Sequence, residues 1–183
     1  QGFPKEAENL VNSRPAYFRR AFEIKKSVKN ATLFVTALGV YETGVDGKCL
    51  GDELFAPGFT DYNKRIYYSS YDITEKLTVG KHVIHAIVAD GWFCGRLLDV
   101  GCRQYGDHPY LAARLDITYA DGTRETSETD EDWKSGTGGL LYSDIQTGEY
   151  FDKTEEVNGW DSPDFDDSGW QNSIRENPCQ GAR

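Results

Sequence analysis

The sequence predicts an all-β fold, an antiparallel β-sandwich of the jelly-roll type. Many short runs rich in β-branched and aromatic residues recur at nearly regular spacing along the 183 residues. Two Asp-Gly dipeptides, at residues 46–47 and 121–122, separate pairs of such runs and suit tight hairpin turns. No run has the periodicity of a helix longer than a turn or two, which argues against alternating strands and helices. Together these observations indicate a sandwich.

The chain is predicted to contain one domain and two flanking segments. A chain of 183 residues is long enough to bury a substantial core in a single domain. Residues 1–14 show no periodicity and are predicted to be a linker or N-terminal arm. The sandwich is placed at residues 15–172, and residues 173–183 are interpreted as a C-terminal linker toward a downstream domain.

The first strands follow one another closely. Residues 17–24 begin a β-like alternation, and residues 31–38 are apolar enough for a buried strand. Residues 40–45 and 48–50 flank the first Asp-Gly dipeptide and are predicted to form a hairpin with a type I′ turn.

The second half continues the pattern. A single helical turn is predicted at residues 72–77. In residues 110–119 every second residue is apolar, so one face of that strand is predicted to be buried. Further strands are predicted at residues 65–73, 81–88 and 123–129, with weaker signals at 140–145 and 149–153.

Charge and hydropathy argue against two classes of partner. The formal net charge is −10, and no cluster of Lys and Arg is present that could neutralise a phosphate backbone. No apolar run approaches the roughly 20 residues that cross a bilayer, and the first residues do not resemble a signal peptide. We expect neither a nucleic-acid nor a membrane partner, and the sequence predicts no compartment.

The four cysteines do not form a recognisable framework. Cys49, Cys94, Cys102 and Cys179 are irregularly spaced and include no C-x-x-C pair. We therefore expect reduced thiols. A bridge between Cys94 and Cys102, which flank one loop, stays open.

The stretch after the predicted strand 81–88 is the main candidate for ligand contact. Asp90 offers acceptor oxygens for sugar hydroxyls or calcium, or alternatively caps its own turn. Trp92 offers a flat face for a pyranose, or alternatively belongs to the core. Arg96 can donate to a hydroxyl pair, or alternatively pairs with Asp99. The candidates here are Asp90, Gly91, Trp92 and Arg96.

A second group of polar residues follows in the C-terminal third. Glu149 and Tyr150 are candidates for the same ligand site, if their strand faces the Asp90 loop. Asp90, Asp144 and Asp152 are the candidate ligands of a calcium ion, which prefers carboxylate oxygens. Alternatively, Glu149 accepts backbone N–H groups or pairs with the arginine of that loop.

Two other features are interpreted as ordinary surface. His108 has no second histidine with which to form a metal site, so it is left out of the candidates. The acids at positions 161, 164, 166 and 167 lack the spacing of an EF-hand loop and are expected to form an exposed acidic turn.

Ordered fragments along most of the chain resemble one known family. They include residues 36–42 (TALGVYE), 46–48 (DGK), 54–62 (LFAPGFTDY), 89–96 (ADGWFCGR), 119–123 (YADGT), 148–152 (GEYFD) and 165–170 (FDDSGW). Together they resemble the N-terminal β-sandwich domain of bacterial α-L-rhamnosidases. The resemblance implies a galactose-binding-domain-like sandwich that is not itself catalytic.

The same resemblance implies where the chemistry of the parent protein resides. Such enzymes carry their catalytic carboxylates in a separate (α/α)₆ barrel and hydrolyse with inversion, which requires a water between two carboxylates. Sandwich domains of this class either hold L-rhamnose with the help of calcium or pack against the barrel.

Two functions therefore remain open for this chain. The first is a module that contacts rhamnose-containing carbohydrate, with calcium as a candidate cofactor. The second is a structural domain that packs on the catalytic barrel. An independent enzyme is not expected, because no Ser-His-Asp order, metal triad or phosphate loop is present in the sequence.

Overall fold

The computed structural model describes residues 13–176, and these form an all-β domain with one short helix. The helix α1 spans only Gly91–Cys94. The strands are β1 (Ala16–Ile24), β2 (Val28–Leu38), β3 (Val40–Val45), β4 (Lys48–Cys49), β5 (Ser69–Asp72), β6 (Gly80–Ala89), β7 (Arg96–Leu97), β8 (Gly101–Cys102), β9 (Tyr110–Tyr119), β10 (Arg124–Glu128), β11 (Lys134–Gly136), β12 (Leu140–Asp144), β13 (Gly148–Phe151) and β14 (Gln171–Asn172).

Two antiparallel sheets build the sandwich. The first has six strands in the order β14-β11-β1-β6-β3-β4, and the second has four in the order β10-β9-β2-β5. The pairs β12–β13 and β7–β8 form separate two-stranded hairpins. The predicted all-β, antiparallel sandwich is confirmed.

The core lies between the two sheets. Leu33 and Val35 of β2 face Leu115 and Ile117 of β9, and Val88 of β6 closes the cluster from the other sheet. All five are at most 4% exposed. The alternation predicted for residues 110–119 is confirmed, since the pleat of a strand sends successive side chains to opposite faces.

The first Asp-Gly turn adopts the predicted geometry. Asp46 and Gly47 both have positive φ, +52° and +74°, as a type I′ turn requires. The Asp46 carboxylate accepts the backbone N–H of Val83 over 2.8 Å and contacts Nδ1 of His82 over 2.6 Å. This turn is therefore tied to the neighbouring strand β6.

The strand predicted at residues 65–73 is shorter in the structure. Only Ser69–Asp72 forms β5, which pairs with residues Thr32–Val35 of β2 at the edge of the sheet. The backbone N–H of Arg65 donates instead to the carbonyl oxygen of Asp61 over 3.0 Å. A local turn thus uses the hydrogen bonds that a strand would have needed.

A buried arginine attaches the C-terminal part of the domain to β1. Arg19 is fully buried, and Nε and Nη2 donate to the carbonyl oxygens of Trp160 and Ser162, each over 2.9 Å. Nη1 pairs with the Asp167 carboxylate, and the guanidinium lies 5.2 Å from the ring centre of Phe165. The expected exposed acidic turn is correct for Asp164 and Asp166 but wrong for Asp167. Within residues 13–176 no helix is long and apolar enough to span a membrane.

Candidate functional site

The candidate loop begins where β6 leaves the six-stranded sheet. The last pair between β3 and β6 joins Val40 and Ala89, and α1 starts two residues later. Nearly every residue of β6 is buried, so this strand holds the loop on a rigid support. The strand predicted at residues 81–88 is confirmed.

Asp90 points into the protein. Its side chain is 1% exposed, Oδ2 accepts the backbone N–H of Ser13 over 2.7 Å, and Oδ1 accepts from Sγ of Cys94 over 3.1 Å. Burial raises the pKa of Asp90 above its ordinary value, and burial likewise raises the pKa of the Cys94 thiol. Both carboxylate oxygens therefore serve internal contacts, although not the local cap considered from the sequence.

Gly91 is placed by a close backbone approach. Its φ is +53°, and a Cβ at this position would lie 2.7 Å from the carbonyl carbon of Gly39 and 2.8 Å from the nitrogen of Val40. Only a glycine fits here without displacing β3. Gly91 therefore allows the loop to lie directly against that strand.

Trp92 belongs to an exposed aromatic surface. Its half-buried indole lies 6.0 Å from the ring of Phe55 and 5.8 Å from the ring of Phe59, measured between ring centres. Phe55 and Phe59 are 52% and 48% exposed. We call Phe55, Phe59 and Trp92 the aromatic surface. Phe55 and Phe59 were not among the candidates, although the aromatic residues in the turn-rich segment 54–62 were a signal for them.

A second aromatic layer supports this surface. Tyr62 packs edge-on against Phe93 and Tyr105, with ring centres 5.3 and 5.1 Å apart, and Phe59 also contacts Tyr62. Burial raises the pKa of Tyr62 to about 12. Because close-packed rings resist deformation, the aromatic surface is held in a fixed shape.

Arg96 lies close to Asp144 through its backbone. The N–H of Arg96 donates to Oδ2 of Asp144 over 3.1 Å, and the Arg96 side chain is half-buried. Among the ion pairs within residues 13–176, none joins Arg96 to Asp99, so the expected internal pair is not formed.

Asp144 holds the turn between β12 and β13. It is 5% exposed, and Oδ1 accepts the backbone N–H groups of Gln146 and Thr147 over 2.9 and 3.0 Å. Glu149 is exposed and accepts from the Ser143 hydroxyl over 3.0 Å. Tyr150 is half-buried in the same hairpin.

Asp152 lies at the opposite end of that hairpin from Asp144. Its N–H donates to the carbonyl oxygen of Gly139, and its carboxylate accepts the backbone N–H of Thr154 over 2.8 Å. The hydrogen bonds from Thr154 lower the pKa of Asp152.

The three candidate calcium ligands are not brought together. Asp90, Asp144 and Asp152 are each engaged in separate hydrogen bonds. Within residues 13–176 no group of three or more His, Cys, Asp or Glu side chains could hold a metal ion. A calcium site therefore has no donor set in this part of the chain and stays a prediction from the sequence.

The cysteines and the histidine left out of the candidates have structural surroundings. No disulfide joins Cys94 to Cys102, and Cys179 lies outside the described residues. His108 is half-exposed, pairs with Asp107 over 2.7 Å, and approaches Glu176 at 3.6 Å. Neither arrangement suggests a reactive centre.

A family model decides the relationship of this chain. The model for the α-L-rhamnosidase N-terminal domain matches residues 26–181. The chain belongs to this family. The resemblance drawn from the sequence fragments is thereby confirmed.

Relatives extend the match to this α-L-rhamnosidase domain. An α-L-rhamnosidase of Streptomyces avermitilis is 42% identical over 161 residues, covering 87% of this chain and 16% of the relative. One from Alteromonas sp. is 36% identical over 169 residues, covering 91% and 18%. The domain thus spans less than a fifth of the length of these relatives.

Solved structures agree in fold. The domain superimposes on Streptomyces avermitilis α-L-rhamnosidase complexed with L-rhamnose with a TM-score of 0.85 and 40% identity, covering 88% of this chain and 16% of that one. The Dictyoglumus thermophilum α-L-rhamnosidase gives a TM-score of 0.84 at 34% identity, with 93% and 18% covered. A lectin of Pleurotus ostreatus, at a TM-score of 0.54 and 20% identity, shares the fold alone.

Proposed function

We propose that this domain is a non-catalytic part of an α-L-rhamnosidase and that its aromatic surface packs against the catalytic domain of the same polypeptide. The observation that carries the proposal is the exposure of Phe55 and Phe59 on either side of Trp92, on a rigid aromatic base. Large aromatic side chains dominate the buried centres of protein interfaces. Contiguous exposed apolar patches typically mark such contacts.

The polar groups beside the aromatic surface support packing over ligand capture. A small-molecule site requires a few convergent polar groups that orient the ligand. Asp90, the nearest acid in sequence, is buried, and its oxygens are occupied by Ser13 and Cys94. An interface needs only that water be excluded from the rings, and this surface meets that requirement.

The parent activity follows from the family and is part of the proposal. We infer that the parent polypeptide hydrolyses L-rhamnosides with inversion, using two carboxylates of its catalytic domain. The buried acids of the sandwich, Asp90 and Asp144, are engaged in hydrogen bonds that stabilise local structure. No catalytic step is assigned to this domain.

A second candidate function is contact with L-rhamnose-containing carbohydrate through Trp92. It is favoured by the partial exposure of the Trp92 indole and by the Arg96 side chain, which joins no ion pair within residues 13–176. The Streptomyces avermitilis relative has been crystallised with L-rhamnose. Such contact would concentrate the parent hydrolase on its polysaccharide.

Separating the domain from its parent distinguishes the two functions. The 183-residue chain and the remainder of the parent polypeptide are expressed as two proteins and mixed. Packing predicts that they elute together in gel filtration. Calorimetry of the chain with L-rhamnose, with and without calcium, tests the second function, and no heat at millimolar sugar would remove it.

A further inference from the structure

A long groove opens between the two sheets, away from the aromatic surface. Its volume is about 1300 Å³, and it is lined by residues of β1, β2, β9, β11 and β14. Strand β10 pairs with β9 only from Arg114 to Thr118. Within residues 13–176, the first part of β9 therefore has a strand neighbour on one side only, and the groove lies there. We call it the edge groove.

The lining of the edge groove combines aromatic side chains with a neutral rim. Phe18, Tyr68 and Trp170 line it, and Tyr68 is 67% exposed. The charged residues around it include both signs, with Arg114 beside Glu128 at 3.9 Å. Because a single-sign field is absent from this lining, the groove favours a neutral ligand over a polyanion.

Two buried polar atoms at the edge groove lack hydrogen-bond partners. Nε1 of Trp133 and Oγ of Ser173 are both buried and unsatisfied among the described residues. The two residues adjoin, since the N–H of Ser173 donates to the carbonyl oxygen of Trp133 over 2.8 Å, and both line the groove. An unsatisfied buried donor costs free energy, which a ligand with an acceptor oxygen would recover.

We propose that the edge groove binds an oligosaccharide of neutral sugars. Sugar hydroxyls can accept from Trp133 Nε1 and can both accept from and donate to Ser173 Oγ, while the apolar faces of the rings rest on the aromatic side chains. The groove exceeds the roughly 300–1000 Å³ of pockets for small ligands, so several sugar units fit. Since both atoms are buried, binding includes a displacement of side chains at the floor of the groove.

This site is separate from the one that carries the proposed function. None of Phe55, Phe59 and Trp92 lines the edge groove. Association with the catalytic domain and binding of an oligosaccharide can therefore fail independently of each other, and each has its own substitution.

The test uses the 183-residue chain and a neutral L-rhamnose-containing hexasaccharide. The four tryptophans give four indole N–H signals in a nitrogen-15 NMR spectrum. We expect the Trp133 signal to shift on titration. Trp133→Phe keeps an aromatic ring and removes the N–H, so the affinity falls about tenfold while Tm does not fall, because the lost donor had no partner. Ser173→Ala is expected to weaken binding about threefold.

Trp92→Phe is the matched control and leaves the affinity unchanged. A shift confined to the Trp92 signal would overturn the proposal, since the sugar would then lie on the aromatic surface. So would equal affinities of the wild type and both groove variants, or no binding at millimolar hexasaccharide. A Trp133 shift caused only by synthetic leucine-rich hexapeptides would assign the groove to a polypeptide and equally overturn it.

Discussion

Nε of Arg19 on β1 donates to the carbonyl oxygen of Trp160 over 2.9 Å, across 141 positions of sequence. The same guanidinium also binds Ser162 and Asp167, so one buried side chain attaches the segment around residues 160–167 to the six-stranded sheet. Trp160 in turn packs edge-on against Tyr17, with ring centres 4.8 Å apart. The C-terminal aromatic residues are thereby part of the domain and cover the outer side of β1.

Arg19→Met is expected to lower the free energy of unfolding by about 3–5 kcal/mol, because it leaves a carboxylate and two carbonyl groups without their donor. Urea unfolding measures this loss, and tryptophan fluorescence reports the release of Trp160. Arg20→Met is the matched control. Its side chain pairs with the exposed Asp132, so we expect a cost below about 1 kcal/mol. Equal costs for the two variants would contradict the assigned role of Arg19.

A second prediction concerns His85, which lies against Trp160 with ring centres 5.2 Å apart. Burial lowers its pKa below the ordinary value of 6.5, and Arg19 adds to this effect, while Asp161 and Asp46 oppose it. The unfolded chain therefore binds a proton at pH values where the folded chain does not. Stability is lost as the pH falls below about 6.5, with a slope of at most about 1.4 kcal/mol per pH unit.

The measurement for His85 is a difference between two proteins. Urea unfolding of the wild type and of His85→Gln is followed from pH 7.5 to 5, so that the titration of the acids cancels. We expect the wild type to lose stability relative to the variant as the pH decreases. A constant difference across this range would show that His85 titrates alike in both states.

A third prediction separates the two chemical roles of Asp90. Asp90→Ala removes the acceptor of the Ser13 N–H and should cost about 1–3 kcal/mol. Asp90→Asn keeps an acceptor oxygen and should cost less. Because burial raises the pKa of Asp90, the folded protein favours the protonated acid, and its ionisation reduces stability as the pH rises through the folded pKa.

Unfolding at pH 4 and pH 7 checks this sign. The wild type should gain stability relative to Asp90→Asn on going from pH 7 to pH 4. Neither substitution is expected to change association through the aromatic surface, because Asp90 is not exposed there. Asn and Ala variants of equal stability would contradict the hydrogen bond from Ser13.

Local patterns were sufficient to predict much of the fold. The alternation in residues 110–119 and the Asp46-Gly47 turn depend on neighbours in sequence, and the structure confirms both. Strand β5 was overestimated because its neighbours in the chain form a turn with Asp61, which the alternation of residues 65–68 concealed.

The candidate site was harder to predict because it depends on contacts between distant residues. Asp90 is buried by Ser13, 77 positions away, and no local pattern reports such a partner. Trp92 was placed correctly in the loop, but Phe55 and Phe59 join it only through the tertiary fold. The buried role of Arg19 was equally hidden, since alternation indicates which face a residue occupies and not what covers it.

The central claim is that the aromatic surface packs against the catalytic domain, and calorimetry measures it directly. The 183-residue chain, with Trp92→Ser or Phe55→Ser, is titrated into the separately expressed remainder of the parent polypeptide. Removing a central aromatic side chain should weaken association at least about thirtyfold. Val79→Ser, an exposed position at the other end of β6, should leave the affinity unchanged. Equal affinities for all four proteins, wild type included, would contradict the claim.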